Sequence, residues 1–538
     1  MYVQQLEPVA DSLALSALVA ALPLATVLIL LGALRMKAHR AGVIGLAVAV
    51  LVGWLVFGMP LGQTLSAGVQ GALFGLFPIM WIVVNALWVY RMTVRTHHFD
   101  ILRRSFGRLS DDPRMQALVI AFCFGALLEA LAGFGAPVAI CSVMLVALGF
   151  SPVKAAVVSL VANTAPVAFG AMGTPVVTLA QVTDLPLDTV ASVVGRQTPL
   201  LALVVPLVLV WLVDGRRGLR ETWLPALACG VAFAAAQFVA ANYVSAQLAD
   251  IGAALAGAAA LVAVPSARRP ASEPVRASVL TGVRSEDLDR EDPRPEILRA
   301  YAPYALIVVI FSIAQIPPVK EALAKATRVF DWPLLDVADP DGNRVGANVF
   351  SLPLVATGGT LVLLAGLFTA VVLGVRAKDA AREWAATVYE LRYAILTVTS
   401  VLALAYVMNL SGQAGTIGHF VAAAGAGLAF LSPILGWFGV AVSGSDTSAN
   451  ALFGALQVTA AAQSGLSPEL LAAANSSGGV LGKMISPQNL TIACAAVGLA
   501  GKEGDLLRKV LPWSLGLLLV MCLIVLGQST AVLGWMLP

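Results

Sequence analysis

Charge is scarce in this chain. Its 538 residues hold 33 Lys+Arg and 30 Asp+Glu, so charged residues make up 12% and hydrophobic ones 59%. An average soluble protein is roughly 25% charged, and a water-soluble globular fold is excluded on that ground. The net charge of +3 is small, and no Lys/Arg-rich stretch is interleaved with aromatics, which excludes nucleic acid as a partner. Cysteine is also sparse. Cys123, Cys141, Cys229, Cys494 and Cys522 lie singly in apolar runs, without the CxxC or Cys/His pairing of a zinc or redox site, and read as small hydrophobes. Neither metal nor cofactor is expected. No Lys or Arg precedes Arg35, so the positive n-region of a cleavable signal is missing and the first apolar run is expected to stay as a helix.

What is present is apolar sequence in long runs, from 12–34 to 511–537. Several exceed the ~20 residues of one crossing and must be split or folded into hairpins. The pattern predicts an all-α polytopic membrane protein of 12 to 14 transmembrane helices. Most basic residues fall in 35–40, 91–114, 214–220, 265–299, 376–392 and 502–509, which assigns these loops to the cytoplasm. Lys320, Lys325, Arg328 and Arg344 in 319–350 then fall outside, as do both termini. The Pro-, Arg- and acid-rich stretch 265–299 reads as a solvated cytoplasmic linker between a first half, 1–264, and a second, 300–538.

Two stretches resemble each other. Gly149-Phe150-Ser151-Pro152 is followed by Asn163-Thr164, Gly170, Met172, Thr174 and Pro175. Gly465-Leu466-Ser467-Pro468 is followed by Asn475-Ser476, Gly482, Met484, Ser486 and Pro487. The Asn-to-Gly and Gly-to-Pro spacings are equal, and the Pro-to-Asn spacing differs by four residues, about one helical turn. One acid precedes each copy, Glu129 and Asp446. The expected topology threads blocks 115–182 and 415–500 in opposite directions, an inverted repeat of the kind that builds many secondary transporters.

Glu129 and Asp446 are also the chemical candidates. A carboxylate at membrane depth costs about 2.5–3.5 kcal/mol on insertion scales, so it calls for a partner, a water-filled cavity or a proton. Gly133-Phe134-Gly135-Ala136-Pro137 and Ser443-Gly444-Ser445-Asp446-Thr447-Ser448-Ala449-Asn450 hold too many Gly, Pro and hydroxyl residues for a straight span. They read as broken helices or re-entrant hairpin tips, allowed only beside a cavity. With Asn163, Thr164, Asn475, Ser476 and Ser477 they would offer donors to a small anion, and helix N-termini would add backbone N–H groups. Gly170, Pro175, Gly482 and Pro487 are read as further break positions. Lys483 and Arg196 are lone cations that could meet a substrate carboxylate or one of the two acids; for Arg196, snorkelling to an interface is an equal reading. Lys154 reads as interfacial.

At these residues the sequence resembles the L-lactate permease family of bacterial lactate and glycolate:proton symporters. The carrying segments are LLEALAGFGAPVAI (127–140), NTAPVAFGAMGTPV (163–176), SGSDTSANALFGALQ (443–457) and NSSGGVLGKMISPQNLTIA (475–493). The resemblance implies a multi-pass protein of the bacterial inner membrane that takes up L-lactate, D-lactate and glycolate with protons. A looser likeness to a broader ion-transporter superfamily implies two hairpin-bearing blocks moving against a scaffold. Two other readings are weighed. A sodium-coupled carrier of another small carboxylate, in particular a dicarboxylate, calls for a larger cationic complement than Lys483 and Arg196 offer. An enzyme using Glu129 and Asp446 as paired acids lacks the Gly-x-Gly-Asp context of intramembrane aspartyl proteases. Asp446 is the favoured proton site because it lies inside its donor-rich break, whereas Glu129 precedes its own by four residues.

Overall fold

The computed structural model describes residues 1–107, 109–110, 112–133, 135–264 and 292–538. The linker expected at 265–299 lies outside the described residues as far as 291, as does Phe134. The protein is all-α and polytopic. Ten described helices are long and apolar enough to cross a membrane, or eleven with the pair Pro152–Ala162 and Val167–Thr183, which is bent by 66°. The difference from the expected 12 to 14 has a local cause. Helix Leu187–Val239 has 53 residues but is interrupted at Asp214, Gly215 and Thr222, and at 1.5 Å per residue it holds roughly two bilayer thicknesses. Ala136–Ala147 and Gly358–Val372 are apolar but shorter.

The two Gly-x-Ser-Pro motifs fold into the same corner. Gly149 takes φ 99° and Gly465 φ 69°, the left-handed residue that ends a helix. The next amide reaches back five residues, Phe150 N to Leu145 O at 3.0 Å and Leu466 N to Ala461 O at 2.9 Å, the Schellman closure. Ser151 and Ser467 then cap the following helices, Pro152–Ala162 and Pro468–Lys483, by accepting from Lys154 N and Leu470 N. Proline fills the first helical position, where no amide is needed.

The bundle has two distinct ends. At one, Arg91 pairs with Glu383, Arg95 with Asp379, Arg104 with Asp292, and Arg114 with Asp112, Asp214 and Glu221. These pairs bring together the basic loops 91–114, 214–220 and 376–392 and the end of 265–299. At the other end, strand Tyr2–Val3 pairs in parallel with Val337–Ala338, and Arg328–Asp331 pairs antiparallel with Val349–Leu352. The segment read as a simple external loop is thus a small folded cap, anchored by Trp332 Nε1 on Ser66 and by Gln70 on the Ala347 carbonyl. Arg196 donates to Asn242 and to the Met536 carbonyl, tying the C-terminus to the start of the Leu187–Val239 helix. Lys154 donates to the Val213 carbonyl. The five cysteines are free and buried.

Candidate functional site

Each block contains a helix that stops and restarts in its middle. In the first, helix Gly125–Leu131 ends before Gly133 (φ 45°) and Gly135 (φ 85°), and Ala136–Ala147 restarts with Pro137 in its first turn. In the second, helix Leu428–Ser443 ends at Gly444 (φ 76°), and Ser445 caps Asp446–Gln463 by accepting from Ser448 N at 3.2 Å. The breaks touch the opposite block. A Cβ on Gly135 would sit 2.5 Å from Ile492 Cδ1 and 3.0 Å from Asn489 Oδ1, in helix Pro487–Ala496. A further break follows Asn163-Thr164, where Ala171, Met172 and Gly173 run consecutively at φ 44°, 58° and 74°. Two non-glycine residues in the left-handed region are costly, and they persist only where the surroundings enforce them.

Glu129 projects from the first of these helices into a ring of partners. Lys483 Nζ donates to its Oε1 at 2.6 Å and Asn163 Nδ2 to its Oε2 at 2.9 Å. Acid and lysine are 2% and 6% exposed. A Cβ on Gly170 would lie 2.7 Å from Oε1, so this glycine makes room for the carboxylate. Asp446 has a different environment. Its Oδ2 accepts from Ser476 Oγ at 2.6 Å and from Asn450 Nδ2 at 3.4 Å, while its Oδ1 is buried with no partner among the described residues. Asn450 also donates to the Pro175 carbonyl at 3.1 Å, and Asn475 donates to Asn450 Oδ1 at 2.9 Å.

Helix Pro468–Lys483 joins the two acids. Ser476, Gly479 and Lys483 recur at three- and four-residue intervals and so share one face. Ser476 bonds Asp446, Gly479 leaves room for its Oδ1 (2.4 Å from a Cβ), and Lys483 bonds Glu129. The seven residues from Ser476 to Lys483 span about 10 Å along the axis. The same helix packs against Leu428–Ser443 backbone to backbone: a Cβ on Gly436 would lie 1.8 Å from Asn475 O, and one on Gly482 2.2 Å from Trp437 O. Two sequence expectations therefore move. Gly482 lies in the last helical turn and serves close packing; the break is at 484–486, before Ser486 caps Pro487–Ala496. Asn475, Ser476 and Ser477 sit inside an unbroken helix: its stretch from Pro468 to Asn475 is four residues shorter than that from Pro152 to Asn163, and the helix runs on to Lys483, whereas Pro152–Ala162 stops just before Asn163.

The remaining expected donors divide between local and open roles. Thr164 bonds the Val161 carbonyl in its own turn, and Ser443 bonds the Gly439 carbonyl. Thr447 is half-buried and Ser448 buried, and the buried Ser477 hydroxyl has no partner. Arg196 is engaged at the end of the bundle and joins neither acid.

Three functional candidates escaped the sequence reading. Gln457 donates to Asn475 Oδ1 at 3.4 Å and to the Ser432 carbonyl at 3.1 Å. Asp250, fully buried, accepts from Gln237 Nε2 at 3.1 Å, and that amide also reaches the Ala165 carbonyl at 3.3 Å. Asp250 is the only acid between Glu221 and Glu273, a lone charge in an otherwise apolar stretch and so a legible signal.

A cavity of about 280 Å³ opens beside the cap, lined in part by Gln70, Gln181, Asp184, Tyr406, Asn409 and Thr459. None of the expected site residues lines it. Its walls include the far ends of helices Gly170–Thr183 and Asp446–Gln463, the helices that carry Pro175 and Asn450. Burial holds the Asp184 carboxyl above the usual carboxylate range.

A bundle of apolar helices, with broken helices converging on buried acids, is the make-up of a multi-pass membrane transporter. The family model described as L-lactate permease matches residues 16–532, and the chain belongs to that family. It is 41% identical to the L-lactate permease of Bacillus subtilis (strain 168) over 100% of both chains. It is 40% identical to the glycolate permease GlcA of Escherichia coli (strain K12) over 97% of each. The solved structure of Neisseria gonorrhoeae MtrF, described among antimetabolite efflux pumps, is similar in fold, with a TM-score of 0.50, 13% identity and coverage of 94% of this chain and 97% of that one.

Proposed function

We propose that this protein takes up L-lactate and related 2-hydroxy monocarboxylates, D-lactate and glycolate among them, by proton symport. The family and its named relatives support the substrate class. The observation that carries the coupling is the buried Asp446, which has no counter-ion bonded to it and one oxygen without a donor. Such a carboxyl is suited to hold a proton while an anion lies nearby, because the proton removes the repulsion between two negative groups. Glu129 is already neutralised by Lys483 and serves as a second carrier or a structural acid. The anion contacts are drawn from Asn450, Asn475, Ser476 and Ser477, with Lys483 as the cation within reach and Asn163, Thr164, Ser443, Ser445, Thr447 and Ser448 around them.

Blocks 115–182 and 415–500 are read as an inverted repeat forming the substrate core, with the rest of each half, 1–264 and 300–538, as scaffold. Their shared order of broken helix, Gly-x-Ser-Pro corner and second broken helix supports this, as does the parallel between Glu129 with Asn163 and Asp446 with Ser476. The first block starts at the end of the bundle where the basic loops gather and leaves beside the cap. The second starts by the N-terminus, where Thr416 bonds the Leu6 carbonyl. With the basic loops inside, both termini face outward and the membrane is the inner membrane.

The test is uptake of labelled L-lactate by proteoliposomes under an imposed pH gradient, with glycolate, pyruvate and succinate as competitors. Accumulation that follows the pH gradient and yields to glycolate but not to succinate is expected. Uptake that follows a sodium gradient and ignores a protonophore would overturn the proton assignment.

A further inference from the structure

We propose that Asp250 is a further proton-exchanging carboxyl of the transport cycle, beside Asp446, joined by Gln237 to the broken segment 163–173. The inference rests on the proton-symport reading and adds a residue to it. Asp250 lies in the first turn of helix Ala249–Ala263, yet it is fully buried and, among the described residues, bonded to no cation. Its Oδ1 accepts from Gln237 Nε2, and its Oδ2 has no partner among the described residues. Gln237 Oε1 is also buried without a donor. Two buried acceptor oxygens in one residue pair are expensive unless something donates to them, and a proton on Oδ2 supplies one donor.

The surroundings favour exchange over a permanent structural proton. Gln237 Nε2 is shared between Asp250 and the Ala165 carbonyl, which lies two residues beyond Asn163, the partner of Glu129. The turn before Asp250 packs on the left-handed run, since a Cβ on Gly173 would meet Ala246 at 3.4 Å. Movement of the 163–173 break on anion binding would therefore change the bond that Gln237 gives Asp250. The charged groups that act on Asp250 are Glu129 and Lys483. The other titratable side chains on the elements packed on its helix are Cys123, Tyr243 and, along the interrupted Leu187–Val239 helix, Asp188, Arg196, Asp214, Arg216, Arg217, Arg220, Glu221 and Cys229. Lys483 is bonded to Glu129, so Asp250 shares the field of that pair without a cation bonded to it among the described residues. In the cycle, water on the entry side gives a proton to Oδ2 as the anion binds. On the exit side the O–H bond breaks and the proton passes to water as the anion leaves.

The experiment compares the full-length wild type with Asp250→Asn in proteoliposomes, reading labelled-lactate counterflow without a gradient and internal pH during lactate uptake. The wild type is expected to move protons with lactate; Asp250→Asn is expected to retain counterflow, lose lactate-driven proton movement, and show a flatter pH profile. A variant that moves protons with lactate as the wild type does overturns the role of Asp250 and leaves symport standing. A wild type that carries lactate without protons overturns the symport reading itself. Should Asp250→Asn fail to fold, Asp250→Glu keeps the acid. A shifted pH profile of counterflow, together with a shifted carboxylic C=O infrared band on pH change, supports the role, and profiles and bands superimposable on the wild type overturn it.

Discussion

Glu129 and Asp446 hold matching posts in the two blocks, each buried beside a helix break and each bonded to the Asn-Thr or Asn-Ser pair of its own block. They differ in charge balance. Glu129 has both oxygens engaged, one by a lysine that comes from the other block. Asp446 has only neutral donors and one oxygen left over. Ion pairing fixes an acid in its charged form and makes it part of the frame, while an acid with neutral partners can change its protonation without leaving a charge stranded. The asymmetry, more than the likeness, separates the roles.

The sharpest break of that comparison is the pair of isosteric variants Asp446→Asn and Glu129→Gln. Asp446→Asn mimics the protonated acid and keeps an acceptor for Ser476. It should abolish accumulation against a gradient while leaving lactate exchange, and exchange should lose its pH dependence; tracer uptake and counterflow measure both. Glu129→Gln strands Lys483 and should lower yield and thermal stability before it alters coupling. If Glu129→Gln loses accumulation and Asp446→Asn keeps it, the roles are reversed.

Removing the cation is next in size. Lys483→Met leaves Glu129 buried without its partner, and breaking a buried pair from one side costs about 3–5 kcal/mol. The melting temperature in detergent should fall sharply, and Lys483→Met combined with Glu129→Gln should recover much of the loss. A single variant as stable as wild type would mean that Glu129 is uncharged at rest.

The packing between helices comes third. Gly436→Ala drives a Cβ to 1.8 Å from the Asn475 carbonyl, and overpacking of this kind costs about 1–3 kcal/mol. Because Asn475 holds Asn450, which holds Asp446, lactate affinity should weaken together with stability, whereas Gly504→Ala, with open space around its Cβ, should change neither. Lost stability with unchanged affinity would detach the Asn475–Asn450 bond from the anion site.

How much of this was legible in sequence follows from what each feature depends on. The helix breaks and the Gly-x-Ser-Pro corners are local: a glycine at positive φ, a serine cap and a proline at the first helical position identify themselves. Both acids stood out as lone charges in apolar runs. Contacts between blocks did not. The sequence brought Lys483 near both acids in principle and could not choose Glu129, because that pairing depends on which face of Pro468–Lys483 meets the first block. The cap strands Tyr2–Val3 and Val337–Ala338 bring together residues far apart in the chain, so periodicity gives no hint of them; Gln237 and Asp250 are only 13 residues apart, but their meeting depends on how two neighbouring helices face each other. Spacing also misled once: matched intervals suggested matched breaks, yet Asn475 and Ser476 come one turn earlier in their helix than Asn163 does in its own, and Pro468–Lys483 runs on two turns past them.

The smallest effect tests how each break is held open. The second restarts on a side-chain cap, Ser445 Oγ accepting from Ser448 N, while the first restarts at Gly135, where no side chain caps. Replacing a serine cap by alanine costs about 1 kcal/mol, and by glycine only a few tenths. Ser445→Ala should therefore lower the melting temperature slightly, Ser445→Gly hardly at all, and the order should be Ala below Gly below wild type. The cap fixes the first turn that carries Asp446, so lactate affinity should follow the same order. If Ser445 instead touches the anion directly, Ala and Gly would lose affinity equally, since both remove the hydroxyl, while their stabilities still differ. Comparing thermal melts with lactate competition curves for the two variants distinguishes a serine that shapes the break from one that binds the substrate.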